Sequence, residues 1–167
     1  LMVEISNELK EIYKKYTLLF NSHYNSISEN KEIQTKTENN FEKYSQLVEK
    51  YQIQNCKLNE THRFYKKKDI IPTKKGLMKI ISEINTFKNT LPNNWDSSIL
   101  VNVPKSNLNL MTFVIIGPKD TPYHNGVYEF HCLFDNDYPN KPPTILLDTT
   151  DGGRVRFNPN LYNSGKV

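Results

Sequence analysis

Alanine is absent from all 167 residues, and arginine is scarce, with only Arg63, Arg154 and Arg156 among 22 basic residues. Lysine and asparagine are abundant instead. This bias suggests an A+T-rich coding sequence, in which single Lys and Asn positions carry less functional information. Readers of phosphate and of base edges favour the bidentate arginine fork, so a net charge of +4 built from lysine reads as solvated surface, and no nucleic acid partner is expected. Cysteine is scarce too. Cys56 and Cys132 give neither a disulfide framework nor a metal-ligand cluster and fit a reducing compartment. His23, His62, His124 and His131 lack metal-ligand spacing, so neither a metal nor a cofactor is expected. Long apolar runs are missing as well: the longest, Leu110 to Ile116, has Thr112 inside it and is far below the roughly 20 residues that span a bilayer, so no membrane partner is expected. The N-terminal residues alternate charged with apolar ones and form no secretory h-region. Asn59-Glu60-Thr61 is therefore a chance glycosylation match, and the expected location is the cytoplasm, the nucleus or both.

What is present divides into three parts. A hydrophobic fraction of 37% and a mean hydropathy of -0.67 are low for a globular chain, so part of it should be solvated helix or linker beside one domain. In residues 1–56, Ile5, Leu9, Ile12, Tyr16, Leu19 and Ile27 recur at heptad-like steps, and Phe41, Tyr44, Val48 and Tyr51 repeat them. Ser26 with Glu29 is a candidate capping box between two helices. The pair reads either as a helical hairpin or coiled coil, able to self-associate, or as two amphipathic helices packed on the domain or on neighbouring parts of a longer chain. Residues 57–71 are charged, with Lys66-Lys67-Lys68, and read as a linker.

Residues 72–167 read as an α+β domain. Thr73 caps a helix whose apolar stripe is Leu77, Ile80, Ile81, Ile84, Phe87 and Leu91, ended by Pro92. Strands are predicted at Ile99 to Val103, Leu108 to Ile116, Val127 to Phe134 and from Thr144 to Leu147, separated by turn-forming segments. A helix followed by four short sequential strands implies an antiparallel meander.

Three motifs lie along this domain. They are Gly117-Pro118-Lys119-Asp120-Thr121-Pro122-Tyr123 with Gly126 and Phe130, then Tyr138-Pro139-Asn140-Lys141-Pro142-Pro143, then Asn158-Pro159-Asn160 with Gly165-Lys166-Val167. In this order and spacing they resemble the ubiquitin-conjugating (E2) enzymes over about Pro72 to Val167. The closing stretch R-V-R-F-N-P-N-L-Y-N-S-G-K-V is similar to the branch of very large hybrid E2/E3 ligases, which also carry Asn where the family has the His of H-P-N. The resemblance implies the E2 fold and a catalytic cysteine at the residue after Val167. It also implies a chain that lacks its nucleophile and is incomplete at the C-terminus. Opening on Leu1-Met2 and closing within a motif, the sequence is expected to be a fragment.

The resemblance also assigns roles. Asn160 would donate an amide N–H to the oxyanion that develops during thioester transfer, or tie down its loop, or both. Asn158, Pro159 and Gly165 would support that loop: an Asn amide donates and accepts, Pro fixes φ, and Gly relieves the backbone before the nucleophile. Lys74, Lys75 and Lys79 occupy the helix that meets the activating enzyme, though exposed lysines are equally plain solvated charge. Tyr138, Pro139, Asn140 and Pro142 form the ligase-docking loop, in which Asn140 replaces the large apolar anchor of many relatives and argues against conventional RING partnering. Cys132, mid-strand, reads as a buried small hydrophobe and not as a nucleophile. Expected partners are ubiquitin, its activating enzyme, protein substrates and an E3 ligase. The alternatives are a catalytically inactive E2 variant and an RWD-type scaffold that binds ubiquitin or another protein.

Overall fold

A computed structural model describes Lys14, which is helical and exposed, and residues 33–167. The heptad-like stretch from Val3 to Ile27 and the Ser26–Glu29 cap fall outside the described residues apart from Lys14. Helix α1 (Ile33–Tyr51) leads into strand β1 (Ile53–Cys56), and a short 3-10 turn (Tyr65–Lys67) precedes helix α2 (Lys74–Thr90). Then come β2 (Asn93–Asn94), β3 (Ser97–Pro104), β4 (Leu110–Ile116), β5 (Val127–Leu133) and β6 (Thr144–Leu147). The last four form the predicted antiparallel meander, and β1 adds a parallel strand on the free edge of β3. The short β2 pairs with the first residues of that same edge.

Alternation along the strands makes two apolar faces. One presents Val101, Val103, Met111 and Cys132, and is covered by Ile80, Ile84 and Phe87 of α2 and by Leu91 just after it. The Thr73 hydroxyl accepts the Gly76 N–H at 3.1 Å as the predicted cap, and Leu91 leaves the helix in extended conformation ahead of Pro92. Ile81 departs from the predicted stripe: it is 42% exposed, because one residue turns a helix by about 100° and Ile80 already faces the sheet. Cys132 is buried as expected, and burial pushes its thiol pKa up to about 12, the opposite of what an active nucleophile requires.

The second face presents Leu100, Val114 and Ile116, with Leu110 and Leu133 further along. Tyr44 and Val48 of α1 bury themselves on the first group, and Phe41 and Tyr44 both pack edge-on against Trp95. The Tyr44 hydroxyl donates to Ser98 Oγ at 3.0 Å, which in turn donates to the Asn94 carbonyl at 2.7 Å. Of the two readings of the N-terminal helices, packing on the domain is what the described helix does; its stripe faces the sheet. The segment from Ile53 to Cys56, expected to be helical, is a strand, because β3 offers it an unpaired edge that a helix could not satisfy.

The charged stretch expected to be a linker also has an inward side. Leu58 and Phe64 join Leu110 and Leu133, and the side chains of Asn107 and Asn109 donate to the carbonyls of Lys68 and Ile70 at 2.7 and 3.0 Å. His62 is buried and stacks on His131, with ring centroids 4.3 Å apart. Each ring accepts a backbone N–H at Nδ1, from Phe64 onto His62 at 3.2 Å and from Arg63 onto His131 at 2.9 Å. With Nδ1 accepting, each ring donates from Nε2, toward the Met111 carbonyl from His62 and toward Glu129 Oε1 from His131.

Two outcomes follow from this packing. Tyr44→Ala should destabilise the domain by about 3 kcal/mol, as for other buried aromatic truncations, and should shift the fluorescence of Trp95, the only tryptophan. Urea melts followed at Trp95 check this; an unchanged midpoint would mean that α1 contributes nothing to the fold. Burial, with His131 second, lowers the His62 pKa from 6.5 to about 4. Between those values the unfolded chain takes up a proton that the folded one refuses, so stability should fall as pH drops from 6.5 toward 4. His62→Gln should flatten that part of the urea-midpoint profile relative to the unsubstituted chain.

Candidate active site

After β6 the chain makes a long excursion and returns to the strand it left. The Leu147 N–H donates to the Gly165 carbonyl at 2.7 Å, and Leu146 bridges to Lys166. Within the return, the Gly165 N–H reaches the Tyr162 carbonyl at 2.9 Å and the Tyr162 N–H reaches the Lys166 carbonyl at 3.0 Å. Gly165 has φ of +90°, and a Cβ there would stand 2.3 Å from the Leu147 carbonyl oxygen. Only glycine meets both demands, left-handed backbone and close approach to β6.

The N-P-N turn lies upstream in the same excursion. Asn158 Oδ1 accepts the N–H of Asn160 at 2.8 Å and that of Leu161 at 2.9 Å, while its Nδ2 donates to the Tyr123 hydroxyl at 3.1 Å. One amide side chain thus closes the turn and ties it to the Gly117 to Gly126 loop, a double function that needs a donor and an acceptor in one group. Tyr123 is held edge-on to Tyr128, and Tyr128 edge-on to Phe157, which seats the segment entering the turn. The apolar cleft among Ile115, Tyr128, Phe130, Phe157 and Leu161 is about 130 Å³. That is below the roughly 300 Å³ at which small-ligand pockets begin, so the region is packing for the loop. Asn160 itself is exposed at the tip, its backbone N–H engaged by Asn158.

Two arginines that the sequence did not single out reach into this excursion. Arg63 lies 3.4 Å from Asp148 Oδ1 and donates to the Ser164 carbonyl at 3.3 Å, so the stretch before α2 touches the end of the loop directly. Arg156 donates from Nε to the Asn158 carbonyl at 3.3 Å and from Nη2 to the Pro159 carbonyl at 2.8 Å, with its guanidinium 4.9 Å from the centre of the Tyr162 ring. Their rarity in so lysine-rich a chain was the available signal.

The remaining predicted residues form a separate group. Tyr138 packs edge-on against Phe134, and Asn140 and Pro142 are exposed. The first turn of α2 lies against this loop: a Cβ on Gly76 would come within 2.6 Å of the Tyr138 carbonyl oxygen. Lys74 and Lys75 are exposed, whereas Lys79 pairs with Glu83 at 2.5 Å. The same helix exposes 64% of Met78 beside Ile81.

Gly165→Ala should cost at least about 2 kcal/mol, since it combines positive φ with a backbone clash. Hydrogen exchange at the Leu147 amide should rise with it; unchanged exchange would mean that the loop can dock on β6 without this glycine.

Comparison with known proteins places the sequence in a family. The family model for ubiquitin-conjugating enzymes matches residues 79–167. The human dual E2 ubiquitin-conjugating enzyme/E3 ubiquitin-protein ligase BIRC6 is 47% identical over 89 residues, which are 53% of this chain and 2% of that protein. A probable ubiquitin-conjugating enzyme, E2 R521 of Acanthamoeba polyphaga mimivirus, is 32% identical over 163 residues, 98% of this chain and 10% of its own length. The chain therefore spans only a small part of these relatives. Among solved structures, human ubiquitin-conjugating enzyme E2 G1 aligns at 28% identity with a TM-score of 0.44, over 56% of this chain and 70% of that one. With the family model covering more than half of the sequence and ending on the loop described above, the chain belongs to the ubiquitin-conjugating enzyme (E2) family.

Proposed function

We propose that this domain carries ubiquitin as a thioester on a cysteine at the residue after Val167 and passes it to lysine amines of protein substrates. The observation that carries the reading is the division of labour in the N-P-N turn. Asn158 performs the structural hydrogen bonding, which leaves the exposed amide of Asn160 available for chemistry. A thiolate attacks the thioester presented by the activating enzyme, and an amine later attacks the new one. In the second attack, the one at issue for Asn160, the planar thioester carbonyl becomes a tetrahedral centre with negative charge on oxygen. An N–H donor held where that charge develops stabilises the transition state more than the ground state.

Neither Cys56 nor Cys132 suits the nucleophile's role. Cys132 is buried with its thiol pKa far above neutral, and Cys56 closes the edge strand β1. The exposed Lys74 and Lys75, with Lys79 one turn on, are proposed to meet the activating enzyme, whose approach would be steered by charge and weakened by salt. Asn140, exposed and polar at the tip of the ligase-docking loop, supplies little anchor energy, so an E3 ligase contact there is proposed to be weak.

The experiment uses the protein carrying this sequence together with the residues that follow Val167. Incubated with activating enzyme, ATP and ubiquitin, it should form an adduct that thiol reductants cleave. Asn160→Ala should leave this loading nearly intact and slow discharge to free lysine on the order of 100-fold. Small, equal losses in both steps would reduce Asn160 to a loop residue. No adduct at all would favour an inactive variant acting as a ubiquitin-binding or partner-binding scaffold.

A further inference from the structure

Asn160 can act on a developing oxyanion only if its side chain leaves the backbone in a fixed direction, and it sits at an exposed turn with no core packing to hold it. Its direction must come from the peptide plane that enters it. That plane is held at both ends. Its N–H donates to Asn158 Oδ1 at 2.8 Å, and its carbonyl, that of Pro159, accepts from Arg156 Nη2 at 2.8 Å. Arg156 Nε reaches the preceding carbonyl, Asn158 O, at 3.3 Å, so the two planes flanking Pro159 are bridged by one guanidinium. The proline ring fixes the φ between them. The third contact is the face of Tyr162, 4.9 Å from the guanidinium carbon, which lies across the loop from the turn.

Arg156 is exposed, and so is Tyr162 at 46%. Surface arginine contacts of this kind contribute little to global stability. All three are made to the one loop, and two of them to the carbonyls on either side of Pro159. We propose that Arg156 is a positioning residue for Asn160: it fixes the peptide plane from which the Asn160 amide is aimed at the reacting carbonyl. The inference rests on the conjugating role proposed above and adds to it a residue that touches neither ubiquitin nor the thioester. Lysine cannot replace it, since the geometry needs a planar fork with two separated donors and a flat face for the ring.

The test compares Arg156→Ala and Arg156→Lys with the unsubstituted sequence in the protein that continues past Val167. Three quantities are read: hydrogen exchange at the Asn160 amide, ubiquitin loading, and single-turnover discharge at saturating lysine. Both variants should melt within a degree or two of the parent and load ubiquitin within about twofold, as expected for an exposed side chain. Discharge at saturating lysine should fall at least about 10-fold in both, because a small misplacement of a catalytic group costs that much or more, with the lysine concentration giving half-maximal rate unchanged. Exchange at Asn160 should rise while exchange along β6 stays constant. Full discharge activity in Arg156→Lys would overturn the proposal, since charge alone would then suffice. So would equal losses in loading and discharge, or unaltered exchange at Asn160. If the unsubstituted protein forms no thioester, the conjugating role falls first and this inference with it; a normal thioester with unaffected discharge removes the inference alone.

Discussion

The structure depends on one constraint: the central strands are apolar on both sides. In β3 the neighbours Leu100 and Val101 are both buried, as are Leu110 and Met111 in β4 and Cys132 and Leu133 in β5. An antiparallel sheet with one wet face would alternate apolar with polar. This one requires a covering layer on each side. Helix α2 supplies the first through Ile80 and its neighbours. The second comes from Tyr44 and Val48 of α1 and from Leu58, His62 and Phe64, all of them N-terminal to the residues that the family model matches. The cost of exposing an apolar face, about 25 cal/mol per Å², explains why this N-terminal stretch lies on the sheet and does not hang free.

That second layer also reaches the loop that returns to β6 at Gly165. Arg63 follows His62, whose ring lies on His131, and its guanidinium meets Asp148 and the Ser164 carbonyl. The hydrogen bonds fix how the stacked rings are presented: each Nδ1 accepts a backbone N–H, leaving each Nε2 proton for an acceptor. The loop is therefore fastened at its far end by Gly165 on β6 and by Arg63, and at its near end by Asn158 on Tyr123. Between the fastenings Pro159, Asn160 and Tyr162 remain exposed.

The N-P-N turn illustrates how chemistry tolerates the change from the family's usual residue. A histidine cannot be both donor and double acceptor through one planar end group, yet an asparagine amide can, and Asn158 uses all three bonds. The loop is thus held by side-chain chemistry at one residue, by backbone freedom at Gly165 and by the arginine fork at Arg156. Packing plays the smaller part, through Phe157 against Tyr128.

The sequence by itself determined the elements whose signal is local. Thr73 and Pro92 mark the ends of α2, period-two and continuous apolar runs mark β3 to β6, and the three Pro-containing motifs identify the family because their residue types are demanded at short range by turns. The need for glycine at position 165 was legible in the same way, although its reason, the Leu147 carbonyl, was not. Only the tertiary structure decided the rest. Ile53-Gln54-Asn55-Cys56 has no strand pattern and becomes β1 because β3 has a free edge more than 40 residues away in the chain, where Ile53 pairs with Val101. His62 and Phe64 sit in a run that composition marks as solvated, and go inside because the sheet has a second face to cover. Arg63 and Arg156 look like ordinary surface charge until the loop folds back and offers them carbonyls. Such partners come from distant parts of the chain, and a pattern confined to neighbouring residues holds no record of them.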